Sequence, residues 1–189
     1  MRYAPEHNEV TRERILEAAT RLFQKLGIDA VGLAKVMAEA DLTVGTFYTH
    51  FKSKGALVRE ALARSLQARH EVLVRALRDG DVETAVRAYL SPEHRDAPEG
   101  GCPVAALAPE IARQARATRV ALTSHLEPSL DDIARCLWIQ RGKKASRADA
   151  AAFFGLLVGT LQLARATPAP AESDAILESG VRAALRLAE

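Results

Sequence analysis

The feature that most constrains this chain is the short segment from Leu42 to Lys54, with the sequence LTVGTFYTHFKSK. Upstream of it, apolar residues at positions 33, 36, 37 and 40 have the spacing of one face of a helix. Asp41 and Leu42 break that pattern, and Thr43 is a residue type that commonly precedes a new helix. The sequence therefore predicts two short helices joined by a tight turn, which is a helix-turn-helix arrangement.

The second of these helices, predicted from Val44 to about His50, has groups suited to a partner that carries phosphate. Gly45 leaves its first turn without a side chain, so the backbone can approach a surface closely. The N-terminus of a helix favours anions through its free N–H groups and its dipole. Tyr48 and His50 can each donate a hydrogen bond to a phosphate oxygen. Nothing from Thr43 to Arg59 is acidic.

Three short side chains at the start of the same helix, Thr43, Val44 and Thr46, can reach the edges of DNA bases. Phe47 and Phe51 lie four residues apart and should fix the helix to a hydrophobic core. The alternative interpretation is a small buried aromatic cluster whose other face is simply solvated. Residue types alone leave both interpretations open.

The segment from Thr11 to Leu62 resembles the N-terminal domain of the TetR (tetracycline repressor) family of transcriptional regulators. The resemblance covers just over a quarter of the chain and depends on three motifs. These are Ile-Leu-x-Ala-Ala-x-x-Leu-Phe from Ile15, Gly27 after that helix, and Gly-x-x-Tyr-x-His-Phe followed by Ser-Lys from Gly45. The resemblance implies that residues 43–46 face bases, that Tyr48 and His50 hold phosphates, and that Lys54 contacts the DNA backbone.

The chain departs from the family pattern at three positions. Asp41 stands where the family usually has glycine, and aspartate tolerates left-handed backbone geometry better than most residues. Gly32 replaces a hydroxyl residue that would cap the second helix and touch a phosphate, although glycine is itself an acceptable cap. Val44 occupies a position that is often polar or basic. These departures affect the operator sequence and the binding strength, and we keep Gly32 among the candidate DNA-binding residues.

Bulk charge alone gives no reason to expect a nucleic-acid partner. The formal net charge of the 189-residue chain is +2, and acidic and basic residues nearly balance in its first 60 residues. Affinity for DNA grows with the number of phosphates neutralised, so few basic side chains per subunit imply that two subunits bind together. We therefore expect a homodimer on a double-stranded DNA operator.

The chain as a whole predicts an all-α fold of about nine helices. The hydrophobic content of 48% is sufficient for a helical core. We expect a helix-turn-helix DNA-binding domain at residues 8–68 and a larger ligand-binding and dimerisation domain at residues 69–189. A long fourth helix from Lys54 to about Asp79-Gly80 joins them, and residues 95–101 form the clearest loop. Pro109 and Pro128 are expected to end or bend the sixth and seventh helices.

The last two predicted helices have apolar faces rich in small residues, and we expect them to form the dimer interface. The resemblance implies that such a pair packs against its symmetry mate as a four-helix bundle. The residues assigned to these faces are Ala150, Phe154, Leu157, Leu161, Ala164, Leu177, Val181, Ala184 and Ala188. Gly155 and Gly159 would let another helix come close, with ordinary core packing as the alternative.

The second domain is expected to bind an unidentified small-molecule effector, because family ligands lie between its helices. His70 interrupts an apolar stripe at positions 58, 62, 66, 73 and 77 of the fourth helix, which suggests a pocket or a local hydrogen bond. The candidate ligand-binding residues are His70, Tyr89, His94, Cys102, His125, Trp138 and Phe153.

Cys102 is the second unusual residue, because Pro103 directly after it suits the first position of a helix. The thiol would then occupy an N-cap, where the dipole favours thiolate. A thiol that senses oxidants or electrophiles is one alternative, and a small buried residue is the other.

Other classes of protein receive less support. Met1 to Asn8 lacks the apolar core of a signal peptide, and the uncharged run from Ala150 to Ala164 falls short of the ~20 residues of a bilayer span. The spacing of cysteines and histidines matches no disulfide or metal motif, so we expect a cytoplasmic protein without cofactor, metal or membrane contact. An enzyme would have only Cys102 with His94 or His125, and a helical adaptor without DNA binding remains the alternative from another class.

Overall fold

The computed structural model describes residues 5–79 and 81–189, with side chains described outside residues 5–7 and 77–79. Within these residues the fold is all-helical, with ten α-helices and one short 3-10 helix. The helices are α1 (Pro5–Leu26), α2 (Leu33–Glu39), α3 (Val44–His50), α4 (Lys54–Asp79), α5 (Val82–Tyr89), α6 (Pro92–Asp96), the 3-10 helix (Pro98–Gly100), α7 (Pro103–Ile111), α8 (Arg116–Arg141), α9 (Arg147–Ala166) and α10 (Pro170–Ala188).

The N-terminal region, formed by α1–α3 and the first half of α4, packs around a tight aromatic core. Phe47 and Phe51 of the helix-turn-helix are at most 2% exposed, and their rings stack with centroids 5.7 Å apart. They pack with Ile15 and Leu22 of α1 and with the partly buried Leu33, as the sequence predicts. Apolar residues every three or four positions thus fix the helices to one another.

The turn between α2 and α3 depends on one residue with left-handed backbone geometry. Asp41 has a φ of 54° and is the non-glycine residue with positive φ in the described chain. The N–H of Leu42 donates to the carbonyl of Met37 at 2.8 Å and closes the turn. The prediction that aspartate can replace glycine here is confirmed by this geometry.

Helix α4 runs unbroken from the N-terminal region into the C-terminal region. Ser53 caps it by accepting a hydrogen bond from the N–H of Ala56 at 3.1 Å. It packs on α1, α5, α7 and α8. Gly80 and the side chain of Leu77, which belong to the predicted stripe and end of this helix, lie outside the described residues.

The C-terminal region, from the second half of α4 to α10, differs from the prediction in the segment before α7. Ser91-Pro92 and residues 95–101 were predicted as a loop, but residues 92–96 form the short helix α6 and residues 98–100 form the 3-10 helix. Ser91 accepts a hydrogen bond from the N–H of His94, and Pro92 takes the first helical position. Pro109 lies in α7, which ends two residues later at Ile111, and Pro128 lies within α8.

The apolar faces of α9 and α10 are buried within one chain, where the two helices pack on each other, α9 also packs on α7 and α8, and α10 also packs on α5 and α8. The residues of these faces that are at most 5% exposed are Ala150, Leu157, Leu161, Ala164, Leu177, Val181, Ala184 and Ala188. From the sequence, these faces are expected to be larger than one subunit needs, and that expectation is wrong, because other helices of the same chain already cover them. Any dimer must use the outer sides of the two helices.

Across the described ranges, we find no helix that combines the length and the apolar character needed to span a membrane.

Candidate functional site

One side of α3 is exposed while the opposite side is buried. Phe47 is completely buried, whereas Tyr48 is 67% exposed and Val44 is 44% exposed. Thr43 and Gly45 are also exposed, and Thr46 is partly so. We call the residues Thr43, Val44, Gly45, Thr46 and Tyr48 the α3 face. The buried aromatic ring fixes the helix, so the α3 face has a defined orientation toward solvent.

Thr43 is the N-cap residue of α3, but its side chain does not cap the helix. Its hydroxyl instead lies 3.1 Å from the hydroxyl of Thr46, one turn later. The expected side-chain cap is therefore wrong, because the two hydroxyls satisfy each other. Gly45 lies between them in the sequence, and a Cβ built there would make only an ordinary contact, 3.9 Å from the Thr43 hydroxyl oxygen.

His50 is the last residue of α3 and lies near Arg12 of α1. Partial burial, followed by the nearby Arg12 guanidinium, lowers the pKa of His50 below its usual value. Arg12 itself forms an ion pair with Glu60 and lies over the ring of Phe51, 4.8 Å from the centroid. His50 is therefore neutral near pH 7 and retains one N–H that can donate.

Two further candidate DNA-binding residues, Lys54 and Gly32, lie at the starts of the helices after and before α3 in the chain. The ammonium of Lys54 donates to the carbonyl of Ile28 at 2.6 Å, so this side chain also ties α4 to the α1–α2 connection. Gly32 is the N-cap of α2, is exposed and has no atom within 4 Å of a built Cβ. Both residues lie beside the helix-turn-helix, where their predicted DNA contacts stay predictions.

The electrostatics of this surface are mildly positive. Neither α2 nor α3 has an acidic residue in its first turn. Glu39 at the end of α2 is paired with Arg21 of α1. Lys35 of α2 and Lys52 after α3 are exposed, and neither was among the predicted DNA-binding residues. Their positive charge, on α2 and directly after α3, is the sequence signal that would have identified them as candidate phosphate contacts.

The C-terminal region contains a cavity of about 410 Å³, a size that suits a small organic molecule. It lies between α4, α5, α7, α8 and α9, and most of the side chains around it are apolar. Members of the apolar lining include Leu66, Leu73, Val86, Leu126, Ile133, Leu137, Phe153, Phe154 and Leu157.

Four of the seven predicted ligand-binding residues line this cavity, namely Tyr89, His94, Cys102 and Phe153. The other three do not. His70 binds Asp132 of α8 instead, with Nε2 3.0 Å from the carboxylate. His125 is exposed, and Trp138 is 52% exposed on the outer side of α8. Their prediction as lining residues is wrong, because α4 and α8 turn these side chains away from the cavity.

His94 holds the cavity end together through both ring nitrogens. Its Nδ1 lies 2.7 Å from the carbonyl of Tyr89, and its Nε2 accepts the N–H of Cys102 at 2.9 Å. These contacts require a neutral ring with the proton on Nδ1. Burial lowers the pKa of His94 to about 4. Gly101 has no room for a side chain, because a Cβ there would lie 2.7 Å from this ring.

Tyr89 presents the unusual polar group of the cavity. Its hydroxyl is buried and has no hydrogen-bond partner among the described residues. Its ring packs edge-to-face on His94, with centroids 4.8 Å apart, and on Phe154. Burial, and then the neighbouring Cys102 thiol, raise the pKa of Tyr89 well above its usual value. The hydroxyl is therefore a protonated donor, and the polar group beside it is the Cys102 sulfur, which is only a weak acceptor.

Arg69 and Cys136 are two chemically active cavity residues that were not among the predicted ligand-binding residues. Arg69 of α4 is partly buried, and within the described chain it forms no ion pair or side-chain hydrogen bond. Cys136 of α8 lines the same cavity as Cys102, both are free thiols, and burial raises the pKa of Cys136. A local pattern identifies neither residue, because the phase of a long helix toward a cavity depends on distant contacts. Within the described ranges, no group of three or more acidic, histidine or cysteine residues is arranged for a metal ion.

The cavity end is joined to the N-terminal region by Gln24 of α1. This side chain is 6% exposed, and its amide nitrogen lies 3.0–3.2 Å from the carbonyls of Pro98, Glu99 and Gly101. Gly101 directly precedes Cys102 and lines the cavity. A short chain of contacts therefore leads from the cavity to α1.

Comparison with known proteins agrees with this geometry. Residues 15–61 match the family model described as bacterial regulatory proteins, tetR family. The chain is 40% identical over 81 residues to the HTH-type transcriptional regulator TtgR of Pseudomonas putida, covering 43% of this chain and 38% of TtgR. It is 45% identical over 56 residues to the HTH-type transcriptional repressor KstR of Rhodococcus jostii, covering 30% and 26% of the two chains. The matched segments thus span less than half of these relatives.

Solved structures match nearly the whole chain. The reduced form of NemR from E. coli superposes with a TM-score of 0.77 at 21% identity, covering 93% of this chain and 95% of NemR. A TetR-family transcriptional regulator from Agrobacterium tumefaciens gives a TM-score of 0.76 at 22% identity, with 93% and 97% covered. These likenesses establish the fold. The family match shows a tetR-type helix-turn-helix domain at residues 15–61, and the fold around it is the one that these solved regulators have.

Proposed function

We propose that this protein is a ligand-responsive transcriptional repressor that binds a palindromic operator as a homodimer and leaves it when a small molecule occupies the cavity. The observation that carries the proposal is the α3 face, an exposed set of short and hydroxyl-bearing residues on a helix fixed by buried aromatic rings. Such a helix can enter a major groove, which admits a single α-helix. The repressors named among its relatives support the direction of regulation.

The α3 face offers both kinds of contact that operator binding needs. Tyr48, with its hydroxyl on an exposed ring, can donate to a phosphate and set the register of the helix. Thr46 and Val44 are short enough to contact base edges and thymine methyl groups. His50 and Lys54 lie at the end of α3 and the start of α4, where they would add phosphate contacts.

A second copy of the chain is the partner expected on the outer side of α9 and α10. Leu163 is 63% exposed and Leu187 is 45% exposed, which leaves apolar surface on both helices. At Gly155 and Gly159 a built Cβ meets nothing within 4 Å, so the chain itself does not need these glycines for packing. Gly180 is the contrasting case, because Thr160 lies 2.3 Å from its built Cβ. The open glycines therefore suit the close approach of another helix.

The cavity gives a route by which a ligand can weaken DNA binding. Helix α4 lines the cavity with Leu66 and Leu73, and its first turns pack against α1 beside α3. The Gln24 contacts form a second connection between the cavity end and α1. A ligand that binds the DNA-incompetent arrangement more tightly shifts the population toward it, so ligand and operator must weaken each other's binding.

A gel-shift titration with DNA that flanks the gene, repeated at several salt concentrations, tests DNA binding. We expect a specific shift whose affinity falls steeply as salt rises, because lysine and arginine contacts release counterions. Thr46→Ala should change the order of preference among operator variants, with Thr123→Ala on α8 as the matched control. Uniform weakening by Thr46→Ala across all operators would refute its base-reading role. A helical adaptor would give no specific shift at all.

The dimer is tested separately by light scattering. Leu163→Glu should convert the dimer to a monomer, because it places a charge in the apolar contact. Val10→Glu makes the same change at an exposed valine of α1 and should leave the dimer intact. A wild-type chain that is monomeric at micromolar concentration contradicts the proposal.

Thiol sensing through Cys102 is the second candidate function, favoured by the position of this residue. Cys102 is the N-cap of α7 and lines the cavity beside Tyr89, although it is only 3% exposed. A compound inside the cavity would therefore meet the thiol. Iodoacetamide labelling of the native protein tests this idea, with Cys136 as the internal comparison. No reaction at Cys102 over hours would end it.

A further inference from the structure

The cavity is lined mostly by apolar side chains, but one end has a hydrogen-bond donor that lacks a good acceptor. The Tyr89 hydroxyl is buried beside the weakly accepting Cys102 sulfur and has no oxygen or nitrogen acceptor among the described residues, which costs free energy unless a bound molecule supplies one. A neutral donor at this position selects for an acceptor atom on the ligand. His94 cannot accept a hydrogen bond from the Tyr89 hydroxyl, because its Nδ1 and Nε2 are both already hydrogen-bonded to backbone groups.

Arg69 adds a positive charge to the same cavity. Its guanidinium has no carboxylate partner among the described residues, and it acts electrostatically on both Tyr89 and His94. Arg165 lies behind His94, where it donates to the carbonyls of His94 and Arg95 at 2.7 and 3.0 Å. The Tyr89 end of the cavity is therefore electropositive as well as rich in donors.

One acidic residue also lines the cavity and must be considered. Glu93 is exposed at the cavity edge, and hydrogen bonds from its own N–H and from Ser91 lower the pKa of Glu93. Its charge is open to water, so screening weakens its effect on a ligand deeper in the cavity. Arg69 is not among the groups that influence it.

We infer that the cavity binds a small organic acid, with its carboxylate at Arg69 and the Tyr89 hydroxyl and its apolar body between α8 and α9. This inference rests on the proposed function only in treating the cavity as an effector site. Arginine and a tyrosine hydroxyl both donate to a carboxylate, and hydrogen bonds to a charged acceptor are the stronger ones. The apolar lining would hold a hydrocarbon chain or an aromatic ring.

The test is isothermal titration calorimetry of the full chain with two acids, decanoate and 4-butylbenzoate, and with their neutral amides. We expect at least one acid to bind about 10-fold more tightly than its amide. Arg69→Met and Tyr89→Phe should each remove most of that preference while leaving amide binding nearly unchanged. Arg75→Met, an exposed arginine on the same helix outside the cavity lining, is the matched control.

The variants remain interpretable if one of them folds poorly. Tyr89→Phe removes a buried hydroxyl whose neighbour is only the weakly accepting Cys102 sulfur, so the ligand-free variant should melt close to or above the wild-type temperature. Arg69→Gln replaces Arg69→Met if circular dichroism reveals unfolding. Equal binding of acid and amide, binding by neither acid up to millimolar concentration, or an unchanged preference in the Arg69 variants would overturn the inference.

A DNA titration of the same preparation separates this inference from the proposed function. Specific DNA binding without acid binding contradicts the organic-acid site and leaves the repressor proposal standing. Acid binding without any specific DNA binding supports the site and contradicts the repressor proposal.

Discussion

The N-terminal and C-terminal regions differ in how completely their cores are filled. Phe23, Phe47 and Phe51 are at most 2% exposed, and the gap found between this core and α7 is only about 10 Å³. The C-terminal core instead contains a cavity of about 410 Å³. A filled core holds the α3 face in one position, whereas an open core leaves room for a ligand. The difference is that expected between a surface that must be rigid and a site that must respond.

Removing a ring from each core should reveal this difference most strongly. Phe47→Ala should lower the free energy of unfolding by about 3–5 kcal/mol, because it opens a new cavity in a filled core. Phe153→Ala should cost about 2 kcal/mol, because its ring already borders open space and mainly transfer free energy is lost. Urea unfolding measures both. Equal costs would contradict the contrast between a filled and an open core.

Cutting the connection between the regions should have the next largest effect. Gln24→Leu removes the side-chain donor to three carbonyls in the 98–101 segment, of which the Pro98 carbonyl keeps the N–H of Gly101, and should cost about 1–3 kcal/mol in the free energy of unfolding. Gln67→Leu, at an exposed glutamine on α4, should change it by less than about 0.5 kcal/mol. If the two glutamine variants unfold alike, Gln24 does not join the regions.

The cavity end should also respond to acid. The pKa of His94 is about 4 in the folded chain against 6.5 ordinarily, so the unfolded chain binds the proton first as pH falls. Stability is therefore unaffected above about pH 6.5 and declines from there toward pH 4. By pH 4.5 this loss should reach about 1–2 kcal/mol, allowing for partial exposure of the ring.

The pH effect is isolated by comparing the wild type with His94→Gln. The stability difference between them should shrink as pH falls from 7 to 4.5, whereas His125→Gln should track the wild type. His50, whose pKa is also lowered, contributes a smaller slope in all three proteins. A difference that stays constant with pH would mean that His94 is not neutral in the folded chain.

The same substitution should weaken DNA binding in the N-terminal region and leave it unchanged in the C-terminal region. Tyr48→Phe should raise the operator Kd about 5–10-fold through loss of a phosphate hydrogen bond, with the fold intact. Tyr89→Phe should leave the Kd unchanged, because its hydroxyl lies inside the cavity. Fluorescence anisotropy with a labelled operator measures both constants. An unchanged Kd for Tyr48→Phe would remove the tyrosine from the DNA contacts.

The two regions were also unequally predictable from the sequence. The helix-turn-helix depends on local signals, such as the spacing around Phe47 and Phe51 and the tolerance of Asp41 for a φ of 54°. Such local signals are why the sequence predicted the N-terminal region nearly in full.

In the C-terminal region, helix α6 was missed because Ser91-Pro92 is typical of a loop as well as of a helix start.

The cavity depends on contacts between distant residues, and the sequence reached only part of it. Tyr89, His94 and Cys102 lie within 14 positions of one another, and all three were predicted as ligand-binding residues. Arg69 was not predicted, because in the sequence it does not differ from an arginine on a solvated helix face. Trp138 was predicted to line the cavity, yet α8 turns it outward. Helix phase toward a cavity is a tertiary property that a single sequence does not encode locally.

Hydroxyl-radical footprinting of the protein on its flanking DNA tests the central claim most directly, namely that two α3 faces enter DNA together. The account predicts two protected tracts about 34–36 Å apart along one side of the duplex, each lost in proportion when the protein carries Leu163→Glu. A single tract, or no protection at low salt, would contradict it.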